Sequence, residues 1–222
     1  MAKLKINIGP IKKTTGEILP FYNDSRDTYS HLDVLRVFIE ELAKVVRDYQ
    51  RHGKRIDLIV GVPMAGIPAA MALALKTNIP FAYLNKERKK SLQKRMIEGD
   101  YKKGARVLLV DDVIGFGGTI ARAIKDCRAD GLVVKHVVTF WNPWHLVNKD
   151  FIVNLRKNGV TYDTLNTRFD WINYLYEQGL VSKEMVAIQK AYLTNPAGWH
   201  KDKVMWQKFL TWKKNYNKTK KL

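Results

Sequence analysis

The sequence predicts an α/β protein, a central parallel β-sheet flanked by helices, with a helical C-terminal extension. Strand, turn, helix and strand follow one another twice, over residues 56–84 and 107–138. A unit of this kind places parallel strands side by side through a right-handed crossover. Beyond about residue 151 the strand-like runs give way to short amphipathic stripes.

Residues 14–26, TTGEILPFYNDSR, read as irregular structure or a short strand, punctuated by Gly16 and Pro20. Residues 33–51 form a helix, because Leu35, Phe38, Ile39, Leu42, Val45 and Val46 make one apolar stripe and Gly53 stops it. A buried strand over 56–60 leads into the turn GVPMAGIP at 61–68, then a helix over 69–76 and a strand over 79–84. The next strand, 107–110, is short, apolar and rich in β-branched residues. Asp111 and Asp112 follow, then the glycine-rich turn 115–119, a helix from Ile120 and a strand over 133–138. In such a sheet ligands gather at the C-terminal strand ends, so the loops at 61–66, 85–90, 111–119 and 139–144 converge on one crevice. Further on, Trp171, Leu175 and Tyr176, and then Met185, Ile188 and Tyr192, mark short helices, with a break near Asn195 and Pro196. Met205, Trp206, Phe209 and Leu210 mark one face of a last helix.

The chemistry is concentrated in VLLVDDVIGFGGTI, residues 107–120. Backbone N–H groups of a glycine turn that opens a helix attract an anion, helped by the helix dipole. Two acids just ahead would repel a bare phosphate and suit sugar hydroxyls or a divalent cation. A ligand with a ribose diol at one end and a 5′-phosphate at the other satisfies both halves. No Lys follows the glycines, as a Walker A loop requires, and a dinucleotide fingerprint has its acid after the loop rather than before it. An ordinary tight turn leaves the paired acids unexplained.

With 222 residues, 46% of them hydrophobic, the chain has enough material for one α/β domain with an appendage, or for two small domains. No apolar run reaches the length of a membrane span, and the N-terminus has no secretory pattern. These features lead to the expectation of a cytoplasmic protein. The single Cys127 cannot form an internal disulfide and is expected as a small packed residue. The net charge of +18 is uneven: residues 86–103 carry +5 and residues 200–222 carry +7.

Residues 107–120 closely resemble the phosphoribosyl-pyrophosphate (PRPP) signature of type I phosphoribosyltransferases, a strand, two acids and a Thr/Ser- and Gly-rich loop. The resemblance implies that Asp111 and Asp112 bind the ribose hydroxyls and that Gly115, Phe116, Gly117, Gly118 and Thr119 bind the 5′-phosphate. Gly115 departs from the usual Thr or Ser. GVPMAGIP is similar to the family's pyrophosphate loop, with Met64 and Ala65 where an unusual peptide often occurs. Mg²⁺ is implied as cofactor, held mainly through PRPP, with no metal site made by the protein alone. The implied reaction displaces pyrophosphate from the ribose by a base nitrogen.

Within this family the closest resemblance is to orotate phosphoribosyltransferases, enzymes of pyrimidine nucleotide biosynthesis. NKERKKSL, residues 85–92, resembles their mobile catalytic loop, which reaches across a homodimer; Lys86 and Lys89 keep its Lys-x-x-Lys spacing. With Asp112 they are the implied catalytic residues. TTGEILPFYNDSR aligns with the N-terminal hood motif, making Tyr22 a base-binding residue, and residues 174–199 resemble the helical C-terminal region of some relatives. The implied division is a core with hood elements over 1–150 and a helical extension with a basic, Trp-rich tail over 151–222. Three departures bear on the base: Thr14 replaces a Lys, Ser91 a His, and Trp141 the Arg that faces the orotate carboxylate. Trp141 suits stacking on a neutral ring, or packing alone.

The expected function is therefore an Mg²⁺-dependent phosphoribosyltransferase of orotate type. One alternative is salvage of a purine or neutral pyrimidine. Another is a PRPP-sensing regulator that binds nucleic acid through its tail, where lysines interleave with Trp199, Trp206, Trp212 and Tyr216. For that tail, an amphipathic helix packed on the protein is the simpler reading.

Overall fold

The computed structural model describes residues 7–13, 16–22, 24–86, 96–143, 146, 148–177, 179 and 181–219. The chain divides into two compact units. One spans Thr28–Asn166, and the other joins Lys3–Asp27 to Thr167–Leu222.

The Thr28–Asn166 unit is built on six strands: β3 (Leu58–Gly61), β4 (Phe81–Leu84), β5 (Ile97–Glu98), β6 (Arg106–Val113), β7 (Val133–Asn142) and β8 (Thr161–Thr167, which crosses into the other unit). Their order is β5-β4-β3-β6-β7-β8. β3 runs parallel to β4 and β6, and β6 runs parallel to β7, while the short β5 is antiparallel to β4. Helices α1 (Leu32–Arg51), α2 (Gly66–Thr77), α3 (Gly118–Ala129) and α4 (Lys149–Lys157) complete the unit.

The parallel sheet has a physical origin in the apolar runs. Every residue from Val107 to Asp112 is buried, as a strand covered on both faces must be. Leu58 and Val60 of β3 and Val107 and Leu109 of β6 share one core cluster with Ile120, Ile124 and Cys127 of α3. Cys127 is the packed residue its position suggests, and burial pushes its thiol up to about 12. Gly61 permits α2 to lie close on β3, since a Cβ there would come within 2.8 Å of the Ile67 Cα.

Four boundaries differ from expectation. Helices α2 and α3 begin at Gly66 and Gly118, each earlier than the apolar pattern implies. Glycines carry no hydrophobic signal, yet their amides open both helices. β6 extends to Val113, so the acid pair lies inside the strand rather than beyond it. β7 likewise runs on through Trp141.

The other unit pairs β1 (Asn7–Lys12) and β2 (Ile18–Tyr22) antiparallel, with Ile8 opposite Phe21 and Ile11 opposite Leu19. It also holds α5 (Arg168–Glu177), α6 (Lys183–Thr194) and α7 (Lys203–Thr219). Helix α6 packs on β2, α5 and α7. Trp199 occupies the centre. Its Nε1 donates to the Ile18 carbonyl at 2.6 Å, and its ring meets Trp206 and Phe209 at 5.5 Å. Two of the tail's aromatics, Trp199 and Trp206, thus serve the interior of this unit. Trp212 stacks on Tyr216 along α7, at 5.1 Å. Among the described residues no helix is long and apolar enough to cross a membrane.

His136 gives the sheet a pH sensitivity. It is buried on β7, with Nδ1 2.7 Å from the Thr161 hydroxyl and its ring against Tyr49. Burial, and then Lys54, lower its pKa to about 4. The folded value lies below the ordinary 6.5, so the associated stability is complete above about pH 6.5 and is lost as pH falls toward 4. Melting curves between pH 7 and pH 4.5 should show wild type losing about 1–3 kcal/mol more than His136→Asn.

Candidate active site

The site grows from two adjacent parallel strands. Gly61 at the end of β3 sits opposite Val110 of β6, and Asp111 sits opposite Thr139 of β7. The loops that follow β3 and β6 therefore leave the sheet side by side. Val62 N–H donates to the Val110 carbonyl at 2.9 Å, which holds the first loop to the second strand.

Gly66 makes this juxtaposition tight. A Cβ at that position would lie 2.4 Å from the Val110 carbonyl oxygen and 3.0 Å from Asp111 Oδ1. The first residue of α2 therefore rests on the acid pair with no space for a side chain. The peptide between Pro63 and Met64 is cis, one bond before Met64–Ala65, where an unusual peptide was expected. Met64 is 71% exposed at the tip of this turn. The Tyr29 hydroxyl donates to the Ala65 carbonyl. Burial, and then the fields of Asp112 and Asp111, raise the Tyr29 phenol pKa.

Asp111 and Asp112 are both buried at the end of β6. The Asp112 amide donates to Asp111 Oδ1 at 2.9 Å. Burial, and then the neighbouring Asp112 carboxylate, push the Asp111 carboxyl up to about 9. Such a group favours a partner that restores its charge, whether a cation or hydroxyl donors.

The glycine turn has the form of an anion site. Gly117 adopts φ +95° and caps α3, and its carbonyl accepts from Ala121 N–H at 2.8 Å. The amides of Gly118, Thr119 and Ile120 are then the first three of the helix, which lack intrahelical acceptors. They have no hydrogen-bond acceptor among the described residues. A Cβ at Gly115 or Gly118 would meet nothing within 4 Å, so the backbone there is open to close approach. Phe116 and Thr119 are exposed on the same turn.

Two supports of this turn carry no motif and were missed by sequence reasoning. Asn148, 3% exposed just before α4, donates from Nδ2 to the Gly115 carbonyl at 2.7 Å and exchanges amide bonds with Asn142. Phe151 lies so near Gly117 that a Cβ there would be 2.5 Å from its ring. An Asn ahead of a helix is the sole hint in the sequence, and it reads as a cap. Tyr29 was missed for the same reason.

Lys86 is exposed just after β4, whereas Lys89 and Ser91 lie outside the described residues, as does Thr14. Trp141 is 7% exposed near the end of β7, with its ring edge-on to Phe38 at 5.4 Å. Tyr22 belongs to the other unit, half-buried at the end of β2.

A family model described as a phosphoribosyl transferase domain matches residues 29–161, a span holding the acid pair, both loops and their supports. The chain belongs to the phosphoribosyl transferase family. This transferase is 33% identical over 131 residues to the orotate phosphoribosyltransferase of Sulfolobus acidocaldarius, covering 59% of this chain and 64% of that protein. It is 26% identical over 190 residues to the orotate phosphoribosyltransferase of Streptococcus agalactiae, covering 86% of this chain and 88% of that one. Among solved structures it is similar to the UMP synthase of Leishmania donovani, with TM-score 0.71 and 28% identity, covering 85% of this chain and 39% of that chain. The orotate phosphoribosyltransferase of Aeropyrum pernix, at TM-score 0.59 and 24% identity over 78% of this chain and 93% of that one, shares the fold. The α/β architecture expected from the sequence is the type I phosphoribosyltransferase fold.

The transferase should hold Asp111 at a cost in stability. Its folded pKa exceeds the ordinary 3.8, so the protein loses stability as pH rises from about 4 toward 9. Asp111→Asn keeps the acceptor for the Asp112 amide and removes the carboxyl that must take up a proton on folding. Thermal melts should show the variant more stable than wild type, by on the order of 1–3 kcal/mol at pH 8, with the difference vanishing near pH 4.

Proposed function

We propose that this transferase joins a nucleobase to the ribose 5-phosphate of PRPP with release of pyrophosphate, and that orotate is the acceptor. The supporting observation is the open row of amides at Gly118, Thr119 and Ile120, one strand end away from a buried acid pair. A 5′-phosphate on those amides leaves the ribose diol facing Asp111 and Asp112, which accept from its hydroxyls. The orotate acceptor is supported by the similarity to the orotate phosphoribosyltransferases of Sulfolobus acidocaldarius and Streptococcus agalactiae. A homodimer in which Lys89 of one copy closes the other's site belongs to the same reading.

In this mechanism the protein mainly places the reactants and stabilises charge. Gly117 turns the chain so that α3 meets the phosphate amide-first, with Asn148 and Phe151 fixing the turn from behind. Tyr29 fixes the Ala65 carbonyl and so orients the turn meant for the diphosphate. Lys86 and Lys89 would supply positive charge to the leaving group.

Magnesium fits the donor set present. Among the described residues no cluster of three His, Cys, Asp or Glu side chains forms a cage, whereas Asp111 and Asp112 provide hard oxygen donors. The ion would be held mainly by diphosphate and sugar oxygens, with these two carboxylates beside it. When bound, it would neutralise the charge that develops on the departing diphosphate.

A second reading keeps the PRPP chemistry and changes the acceptor to a neutral base. It rests on Trp141, which gives the end of β7 an aromatic ring with Phe38 beside it and no guanidinium.

Assay of pyrophosphate release from PRPP and Mg²⁺ with a panel of free bases decides between them. Turnover with orotate and not with uracil or purines is expected, and turnover with no base would exclude the enzyme reading. Asp112→Asn should lower kcat/KM by about 10²–10³-fold. Asn148→Ala should raise KM for PRPP by about tenfold while changing kcat less, because it loosens a binding turn rather than a reacting group.

A further inference from the structure

Helix α7 takes no part in the transfer chemistry proposed above, yet residues 203–222 carry seven lysines and no acid. Among the described residues, Lys203, Lys208, Lys213 and Lys214 form no ion pair. Helix α1 is the contrast. Its basic cluster neutralises itself, since Lys44 pairs with Glu41, Arg47 with Glu40 and Arg51 with Asp48. The lysines of α7 instead add their fields along a helix about 26 Å long.

Packing accounts for the inner face of this helix and leaves the outer one unexplained. Inside, Phe209 is fully buried and meets Trp206 and Trp199. Outside, Lys203, Gln207 and Lys214 follow one stripe, and Lys208, Thr211 and Asn215 the next; all six are exposed. A groove of about 660 Å³ lies beside them, lined by five of these six together with Val204, Trp212 and Glu184 of the first turn of α6. Tyr216 stacks on Trp212, with the rings 24° apart in plane at 5.1 Å. The groove therefore combines cations, amide and hydroxyl groups, and a flat aromatic wall.

We propose that the outer side of α7 binds single-stranded nucleic acid. Lysines spread along both stripes meet successive phosphates, and a flexible point charge tolerates their varied geometry. Trp212, backed by Tyr216, offers a ring on which an unpaired base stacks. Gln207, Thr211 and Asn215 bond sugar hydroxyls and base edges. Glu184 is the single acid of the lining, outnumbered there by Lys203 and Lys208. Other polyanions fit less well. A lipid surface needs an outward apolar face, and the apolar face of α7 is spent on the interior, with Val204 and Leu210 its exposed large apolar residues. A mononucleotide leaves most of the lysine row unmatched, a duplex hides its bases from Trp212, and an acidic protein segment gives that ring no base to stack on.

The test is fluorescence anisotropy of a short labelled oligouridylate titrated with the full chain, between about 50 and 200 mM salt. Wild type should bind it, with log affinity falling against log salt at a slope of about −2 to −3. Replacing Lys203, Lys208 and Lys214 together by Gln should bring that slope to about −1 or shallower. Trp212→Leu should weaken binding about tenfold and leave the slope as it is, because it removes stacking and no charge. Absence of binding at low salt, an affinity indifferent to salt, or equal affinity in wild type and the lysine variant overturns the proposal. So does unchanged affinity in Trp212→Leu, which would leave a surface that attracts any polyanion. Polyglutamate, UMP or a duplex of the same length displacing the probe as well as unlabelled oligouridylate has the same consequence, as has capture by phosphatidylserine vesicles of a chain that ignores the oligonucleotide. Should Trp212→Leu fail to fold, the lysine variant decides, since its three positions are exposed.

Discussion

The catalytic half of this protein depends on one contact without a side chain, the Cα of Gly66 resting on the end of β6. A methyl group there would sit 2.4 Å from the Val110 carbonyl. Adding it would lift α2 off the strand and separate the turn at 61–66 from the acid pair. Because β3 and β6 are parallel neighbours, both turns emerge at one edge of the sheet, and Gly66 brings them within contact of each other. The Val62–Val110 hydrogen bond and the Tyr29–Ala65 bond lock the same arrangement from either side.

Around that contact, stability and function are opposed. Two buried acids at a strand end and three helix amides with no acceptor among the described residues are each unfavourable in the isolated fold. They persist because the hydrophobic sheet beneath them is buried on both faces and fixes their positions. Asn148 and Phe151 extend this support to the glycine turn from α4, one by a hydrogen bond to Gly115 and the other by filling the space beside Gly117. The site is thus held mostly by backbone geometry, which tolerates glycine and little else at several positions.

The second unit follows a different rule. Its interior is aromatic, built where Trp199, Trp206 and Phe209 meet, with the Trp199 indole tied to the β2 backbone. Chain ends far apart in sequence meet in it, since β2 packs on α6. The lysines of the tail lie on a helix whose apolar face has a structural use.

The sequence by itself determined the sheet. Apolar runs at 56–60 and 107–110, each followed by a glycine turn and a helical stripe, admit few arrangements other than parallel βαβ units, and they put Asp111 and Asp112 at a strand end ahead of the glycine turn. Local signals suffice there because periodicity and glycine act over a few residues. They also left the short or polar elements unseen: β1, β5 and β8, with compositions such as TYDTLNT, become strands through their neighbours. Tyr29, Asn148 and Phe151 were illegible for a related reason, since each acts on a residue more than thirty positions away and no local pattern records such a pairing. The pairing of the N-terminal hairpin with the C-terminal helices was decided by tertiary structure alone. Which polar groups find partners depends on what packs over them, and only the folded chain fixes that.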